Sequence, residues 1–296
     1  MTERLTKILA LNNDVRIIVV EASKTVEQAR QSHDSWHTAT AAFGRTMLGS
    51  LLLASNLKGN DQLSVTIQGQ GPLGAIFVDV DSKYRIRGYI HQPHVALELN
   101  DHGKIDVSSA VGLPATMTVK KFIEDYEPFV GQVELVTGEI AEDFTYYMAA
   151  SEQTPSSFGL SVQINPDESV LSAGGFMIQL MPGAQEESIQ ILEEGIGRIS
   201  KLSEIFESDT AVETLLKLLL GDDASYQVLS QNPIHWHCDC SKERFAQSLQ
   251  RIESSEIEAM ITEDKGAEVV CQFCKTAYQF DVEDLQEIIQ AKESLN

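Results

Sequence analysis

The sequence is poor in basic residues and has no long apolar run. Its 296 residues include 22 lysines and arginines against 44 aspartates and glutamates, which gives a formal net charge of −22. This negative charge repels phosphate backbones and anionic membrane surfaces, so we expect neither nucleic acid nor membrane as a partner. No apolar run reaches the roughly 20 residues of a membrane span, and acids and asparagines interrupt the apolar run near the N-terminus. A secretory signal peptide is therefore not expected.

Cysteine is absent from the first 237 residues, and the chain contains four cysteines in all. With no signal peptide expected, the protein is predicted to be cytoplasmic, where thiols stay reduced. That setting disfavours stable structural disulfides.

The length suggests two domains with a connector, since a domain usually has roughly 100–200 residues. Residues 1–179 are predicted to form an α+β core domain that is rich in strands. A helix is expected from His37 to about Leu57, because the apolar residues there recur at helical spacing. The predicted strands are Val15–Glu21, Leu63–Gln68, Ala75–Val80, Tyr84–Ile90, Ala115–Lys120, Gly131–Leu135 and Gly174–Leu180.

The segment GQGPLG, Gly69–Gly74, formally matches the glycine pattern of dinucleotide-binding loops. In such a loop the glycines lead into a helix whose N-terminus holds the phosphates. Here a β-rich run, AIFVDVD, follows the glycines. The segment is therefore predicted to be a hairpin loop without a nucleotide.

Residues 180–231 are predicted to be a helical linker. One helix is expected over Ala184–Ser203 and another from Ser208 or Asp209 to Gly221. Each of Gly195 and Gly197, inside the first helix, costs on the order of 1 kcal/mol relative to alanine. A short acidic helix pair of this kind has little stability of its own, so its apolar face must dock on another surface.

Residues 232–296 are predicted to be a small zinc-binding domain. It contains a helix over Lys242–Ile252, a helix capped by Ser255, two short strands (Glu268–Val270 and Tyr278–Phe280) and a final helix from Asp281. At about 65 residues, an apolar core alone gives marginal stability.

All four cysteines lie in this last segment, as Cys238-x-Cys240, thirty residues, then Cys271-x-x-Cys274. Zinc favours four thiolates in tetrahedral array, and a C-x-x-C turn between two strands presents two sulfurs to one ion. The sequence therefore predicts one Zn²⁺ bound by Cys238, Cys240, Cys271 and Cys274 in the reduced state.

The same thiols are predicted to act as a redox switch. Peroxide or hypochlorous acid converts a thiolate to a sulfenic acid, which a neighbouring thiolate resolves into a disulfide. Each sulfur has a partner one or three positions away, so oxidation is expected to give Cys238–Cys240 and Cys271–Cys274 and to expel the zinc. Several basic residues near the pairs are expected either to favour the thiolate or simply to form a solvated surface: His235, His237, Lys242, Arg244 and Lys275.

With these motifs the chain resembles the redox-regulated 33-kilodalton chaperonin family of bacterial heat-shock proteins. The resemblance rests on HCDCSKERF (His237–Phe245) and CQFC (Cys271–Cys274), supported by SEQTPS (Ser151–Ser156), SAGGFMIQLMPGA (Ser172–Ala184) and the GQGPLG hairpin. It covers essentially the whole chain.

The resemblance implies a chaperone, not an enzyme, that binds unfolding client proteins under oxidative stress without ATP. It implies an inactive form that is reduced and zinc-bound. Formation of the disulfides Cys238–Cys240 and Cys271–Cys274 then releases zinc and unfolds the zinc domain and linker. The active form is expected to be a homodimer.

Two other functions stay open. A dithiol–disulfide oxidoreductase would use the C-x-x-C, although such a motif usually opens a helix in a βαβ unit and lacks a second cysteine pair. A zinc ribbon that binds nucleic acid would use the whole cluster, although residues 232–296 carry 13 acidic and 6 basic residues, a net charge of −7.

Overall fold

The computed structural model describes residues 3–222 and 224–293, and the chain divides into two compact units. The first unit extends to His237 and the second begins at Cys238. Helices and strands are mixed along the chain, which confirms the predicted α+β class.

In the described part of the first unit, ten strands and seven α-helices precede a last short strand. The strands are β1 (Arg4–Ala10), β2 (Val15–Glu21), β3 (Gln62–Gln68), β4 (Ala75–Asp81), β5 (Arg85–Ile90), β6 (Thr116–Phe122), β7 (Phe129–Glu134), β8 (Ser156–Ile164), β9 (Val170–Leu180), β10 (Tyr226–Pro233) and the final β11 (His235–Trp236). The helices are α1 (Ser23–His33), α2 (His37–Leu53), α3 (Val107–Val111), α4 (Ala141–Ala150), α5 (Glu186–Arg198), α6 (Leu202–Phe206) and α7 (Ala211–Leu220).

The strands form two sheets. The first has the order β10-β1-β2-β9-β8 and is antiparallel throughout. The second has the order β11-β5-β4-β3-β6-β7, in which β11 runs parallel to β5. β3 and β4 pair antiparallel with Gln68 opposite Ala75, so the GQGPLG segment closes a hairpin as predicted.

The larger core of the first unit surrounds α2, which packs against strands of both sheets. All of its residues except His37 and Arg45 are buried. Gly49 allows this packing, because a Cβ atom there would lie 2.1 Å from the ring of Phe144. Tight packing of this kind needs small residues where a neighbouring ring presses on the helix backbone.

The other face of the first sheet is covered by α5, α6 and α7. Strand residues such as Ile17 and Phe176 meet helix residues such as Leu215 and Leu219 in a second apolar core. Gly195 of α5 lies against α7, where a Cβ would be 2.1 Å from the carbonyl oxygen of Leu219. The glycine that weakens α5 as an isolated helix therefore permits its close approach to α7.

The segment 180–231 contains these three helices and most of strand β10. The single helix expected over Ala184–Ser203 is interrupted, because α5 ends at Arg198 and α6 begins at Leu202. β10 pairs along the whole of β1 as an edge strand, and most of its side chains are exposed. The division of the chain at 179/180 and 231/232 into core, linker and zinc-binding domain stays a prediction.

Both tryptophans of the chain belong to the first unit. Trp36 directly precedes α2 and is 45 % exposed. Trp236 lies in β11, where its ring is 6.4 Å from the ring of the buried His33.

The second unit is small. It contains α8 (Lys242–Leu249), α9 (Ser254–Ala259), a two-stranded sheet of β12 (Ala267–Val270) and β13 (Ala277–Phe280), and α10 (Val282–Glu293). Its buried apolar core consists of Leu249, Ile257, Phe280, Leu285 and Ile288. Among the described residues, no helix of either unit is long and apolar enough to span a membrane.

Candidate metal centre

The four cysteines come from two places in the second unit. Cys238 and Cys240 lie just before α8, whose N-cap Ser241 accepts a hydrogen bond from the backbone N–H of Arg244. Cys271 and Cys274 lie in the turn between β12 and β13. The N-cap of α8 fixes the position of the first pair of thiols. The tight turn of the β12–β13 hairpin fixes the second pair.

The C-x-x-C turn is closed by two backbone hydrogen bonds. The N–H of Cys271 donates to the carbonyl oxygen of Thr276 at 2.9 Å, and the N–H of Lys275 donates to the carbonyl of Cys271 at 2.9 Å. Lys275 adopts the left-handed conformation with φ of 59°. The turn therefore directs two sulfurs to one side without a helix.

The sulfur atoms converge on one point. Cys238 Sγ lies 3.7 Å from Cys271 Sγ, and Cys240 Sγ lies 3.3 Å from Cys274 Sγ. All four lie within 4.8 Å of one another. A tetrahedral ion with bonds of about 2.3 Å to sulfur needs sulfur atoms about 3.8 Å apart. The donor set therefore fits a four-thiolate metal ion and is compatible with zinc.

The thiols differ in their surroundings. Burial raises the pKa of Cys238 and of Cys240 above the ordinary value for cysteine. Burial would also raise the pKa of Cys274, but hydrogen bonds with the hydroxyl and the backbone of Thr276, and with the thiols of Cys240 and Cys271, together outweigh it and lower that pKa to about 7. The two thiols of the close Cys240–Cys274 contact are thus shifted in opposite directions.

Two hydroxyl groups at the site were not predicted from the sequence. Tyr278 Oη lies 3.2 Å from Cys240 Sγ and donates a hydrogen bond to the Cys240 carbonyl at 3.1 Å. Hydrogen bonding to Cys240, followed by burial, raises the pKa of Tyr278 to about 12. The hydroxyl of Thr276 lies 3.3 Å from Cys274 Sγ. Sequence reasoning could have placed Tyr278 in a strand after the C-x-x-C turn, but it could not have placed that strand beside Cys240.

The basic residues predicted near the cysteines have other partners. Lys242 pairs with Asp284 at 2.6 Å, and Arg244 pairs with Asp239 at 2.5 Å. These ion pairs offset the positive charge that the sequence places beside the thiols.

The remaining basic candidates add no ligand to the cluster. Lys275 Nζ lies 3.5 Å from Gln272 Oε1. His235 and His237 belong to the first unit. Among the described residues, the metal-ligand group contains the four cysteines and neither histidine.

The position of the C-x-x-C turn also bears on the oxidoreductase alternative. A thioredoxin-like motif opens a helix, whose N-terminus stabilises the reactive thiolate. Here Cys271 follows β12, and three residues after the motif the chain enters β13. A C-x-x-C turn between two strands therefore does not match a βαβ redox motif.

Comparison with known proteins gives a consistent result. The family described as Hsp33 protein matches residues 3–281. The chain is 47% identical over 288 residues to the 33 kDa chaperonin of Enterococcus faecalis, covering 97% of this chain and 96% of that protein. It is 46% identical over 294 residues to the 33 kDa chaperonin of Shouchella clausii, covering 99% of each. The crystal structure of the 33 kDa chaperonin (heat shock protein 33 homolog) from Thermotoga maritima superposes with a TM-score of 0.91 at 31% identity, covering 99% of this chain and 100% of that one.

Proposed function

The chain belongs to the Hsp33 family, and from that membership we propose that it is a chaperone switched on by thiol oxidation. It holds unfolding and oxidatively damaged proteins and keeps them from aggregating, without ATP. The reduced, zinc-bound form is inactive. One observation carries the proposal: four thiols lie within 4.8 Å of one another in a unit whose buried core, over the residues described, is small.

Zinc is the metal that this donor set would hold. Soft thiolate ligands in a tetrahedral array select Zn²⁺ over harder ions. When bound, zinc keeps all four thiols deprotonated and cross-links the segment before α8 to the turn before β13. Zinc binding contributes apparent free energies of roughly 10–16 kcal/mol in small zinc-finger peptides, which exceeds what a core of this size can supply.

Oxidation converts the four thiolate ligands into two disulfides, and each disulfide forms by the same two reactions. A cysteine thiolate attacks hydrogen peroxide, so that an S–O bond forms, the O–O bond breaks and hydroxide leaves. A second thiolate then attacks the sulfenic sulfur, so that the S–S bond forms and a second hydroxide leaves. We assign the pairs as Cys238–Cys240 and Cys271–Cys274, the sulfurs nearest in sequence. Two peroxides thus consume four thiolates, and no metal ligand remains.

Loss of the cross-link is proposed to unfold the second unit and then the linker, residues 180–231. Helices α5 to α7 cover an apolar sheet face that includes Ile17, Val19 and Phe176. If these helices leave, both their own apolar side and the sheet face meet water. A contiguous apolar patch of this kind binds other exposed apolar segments. The surrounding acidic charge keeps the loaded chaperone in solution.

The remaining parts of the proposal concern partners and location. The clients are unfolding proteins, and the oxidised form is a homodimer. The protein acts in the cytoplasm, where a reducing environment keeps the switch off until oxidants appear. The net charge of −22 argues against nucleic acid or membrane partners.

The test follows zinc and client protection together. Reduced, zinc-loaded protein is treated with hydrogen peroxide at mild heat, and zinc release is read with a chromophoric chelator. In the same samples, light scattering of a heat-unfolding client measures aggregation. We expect zinc release and suppression of aggregation to rise together, and dithiothreitol to reverse both when zinc is supplied.

A variant with Cys271→Ser and Cys274→Ser is the matched control, because it removes half of the ligand set without adding oxidant. We expect it to bind no zinc stably and to protect the client whether or not peroxide is added. Zinc release without any protection would refute the switch. Full protection by the reduced wild type would refute redox regulation while leaving a chaperone.

A further inference from the structure

Two hydroxyl groups flank one edge of the sulfur tetrahedron. The edge joins Cys240 Sγ to Cys274 Sγ, which lie 3.3 Å apart. Tyr278 Oη is 3.2 Å from the first sulfur, and the hydroxyl oxygen of Thr276 is 3.3 Å from the second. Both distances are within reach of a hydrogen bond to sulfur, whose large radius lengthens such bonds relative to those made to oxygen.

The fold holds both hydroxyls in place. Tyr278 and Phe280 share one face of β13, since side chains alternate along a strand, and Thr276 lies directly before the strand. Phe280 of that face is buried in the core of the unit. The ring of Tyr278 packs against the ring of Phe245 with centroids 5.3 Å apart. The backbone of Thr276 is tied to Cys271 by the 2.9 Å hydrogen bond that closes the turn.

The two hydroxyls reach the cluster differently from the backbone donor at Cys238. A hydrogen bond from the Cys240 backbone counters the burial that raises the pKa of Cys238, and a backbone donor of this kind survives any substitution except proline. The hydroxyls come from side chains and can be removed one at a time. Single substitutions can therefore test what each hydroxyl contributes to the sulfur cluster.

We propose that Tyr278 and Thr276 are positioning residues that set how much oxidant is needed to open the site. This inference rests on the proposed function. As a thiol, Cys274 donates to the Thr276 hydroxyl oxygen, and the single Tyr278 hydroxyl proton goes to the Cys240 carbonyl. Against zinc-bound thiolates, which have no proton to give, the Thr276 hydroxyl would donate to Cys274 Sγ, and Tyr278 would share its proton between the Cys240 carbonyl and Cys240 Sγ, as outer-shell groups do in other metal sites. The donated hydrogen bond withdraws electron density from the sulfur lone pair that must attack the peroxide oxygen. It also fixes the direction in which the sulfur points, so the ligand set is held ready for the metal.

The chemistry of the step is unchanged by these residues. The thiolate still forms the S–O bond, the O–O bond of hydrogen peroxide still breaks, and hydroxide leaves. A hydroxyl that holds the thiolate lone pair raises the barrier to that first attack alone. Its removal should therefore change the rate of oxidation without changing which disulfides form.

The experiment compares three variants with the wild-type full chain. Tyr278→Phe keeps the ring that packs on Phe245 and removes the hydroxyl. Thr276→Val removes the second hydroxyl, whereas Thr276→Ser keeps it and provides the rescue. Thr262→Val is the matched control, because the Thr262 hydroxyl bonds to the carbonyl of Glu258 in its own helical turn.

Two readouts are taken on reduced, zinc-loaded protein. Competition with a chromophoric chelator gives the zinc affinity before any oxidant is added. The first-order rate of zinc release at a fixed excess of hydrogen peroxide gives the sensitivity to oxidation. We expect Tyr278→Phe and Thr276→Val each to weaken zinc affinity about ten- to a hundredfold, as loss of an outer-shell partner typically does, and to release zinc faster under peroxide. Thr276→Ser and Thr262→Val should behave as the wild type.

The outcomes separate this inference from the proposed function. If the wild type releases zinc under peroxide and both hydroxyl-deleted variants match its rate, the inference is wrong and the switch stands. If Thr276→Ser loses zinc affinity and releases zinc as fast as Thr276→Val does, loss of the hydroxyl does not cause the change and the inference is likewise wrong. If Tyr278→Phe does not fold with zinc, the Thr276 pair decides. If the wild type holds no zinc, the proposed function fails and the inference falls with it.

Discussion

Different interactions stabilise the two units of this chain. The first unit has two sheets, a helix buried between them and a second apolar core on the far face of one sheet. The second unit has a core of five buried apolar side chains and four converging thiols. Burial of apolar surface alone can stabilise the first, but it is marginal for the second. Under the proposed function, a chemical change at the four sulfur atoms therefore unfolds the second unit and leaves the core of the first intact.

The largest expected effect is loss of the thiol cluster. Cys271 is 3 % exposed and is part of both the cluster and the turn. We expect Cys271→Ser to prevent stable zinc binding, at a cost approaching the roughly 10–16 kcal/mol that structural zinc contributes in small domains. Hydrogen exchange should then show lost protection from Cys238 onward and retained protection in β2, β9 and α2. Ser248→Ala, on the exposed side of α8, is the control; a protected second unit in Cys271→Ser would contradict the comparison.

The converse change targets the core around α2. Phe43 is 1 % exposed, and Phe43→Ala should destabilise the first unit by about 3–5 kcal/mol, as large-to-small core substitutions do. The midpoint of urea unfolding read by tryptophan fluorescence should fall, while the temperature of zinc release should stay near that of the wild type. A parallel fall in both would mean that the two units do not unfold independently.

A smaller effect is expected where α5 meets α7. A Cβ at residue 195 would lie 2.1 Å from a carbonyl oxygen, which cannot move aside, whereas nothing lies within 4 Å of a Cβ at residue 197. Gly195→Ala should therefore loosen the helices by about 1–3 kcal/mol through overpacking. Gly197→Ala should stabilise α5 by about 1 kcal/mol through helix propensity.

Under the proposed function these two glycine variants should shift activation in opposite directions. Light scattering of a heat-unfolding client should show protection by Gly195→Ala at a lower temperature or peroxide dose than the wild type requires, and by Gly197→Ala at a higher one. If both variants protect the client at the same temperature and peroxide dose, the packing of α5 on α7 does not control client binding.

The smallest effect is expected at the ion pair between α8 and α10. Lys242 and Asp284 are 2.6 Å apart, with side chains 41% and 28% exposed. Pairs open to solvent contribute little and are screened by salt. Lys242→Gln should lower the temperature of zinc release slightly at low ionic strength, and this difference should vanish in high salt. A large, salt-independent fall would show that Lys242 acts through packing over the ring of Phe280.

Sequence reasoning located the features that depend on spacing. The helix α2 and the β3–β4 hairpin follow from apolar periodicity and from turn residues. The cysteine cluster follows from two close pairs in one small segment. These signals are local, and the structure changes only their bounds.

The sequence analysis predicted neither β1, α1, α4 nor β8, and the features it missed around the linker and the thiols depend on contacts that are distant in sequence. β10 has mostly exposed side chains, so its sequence lacks the alternation that marks a half-buried strand, and it is stabilised as a strand by its pairing with β1. The break between α5 and α6 has neither proline nor glycine at Ile199–Lys201, so docking on the sheet decides where the helix stops. The contacts of the Thr276 and Tyr278 hydroxyls with the thiols likewise cannot be predicted from the sequence, because they form only when β13 lies beside Cys240.

The chain also separates its natural reporters between its two units. Both tryptophans precede Cys238, and every thiol lies at or after it. Tryptophan fluorescence, excited where tyrosine does not absorb, therefore comes from the first unit, and a thiol-reactive dye counts sulfurs in the second. Recording both signals after one addition of peroxide would time the passage of a chemical event in one unit into a structural event in the other, without an engineered label. A lag between the two signals would directly measure the delay between thiol oxidation in the second unit and the structural change in the first.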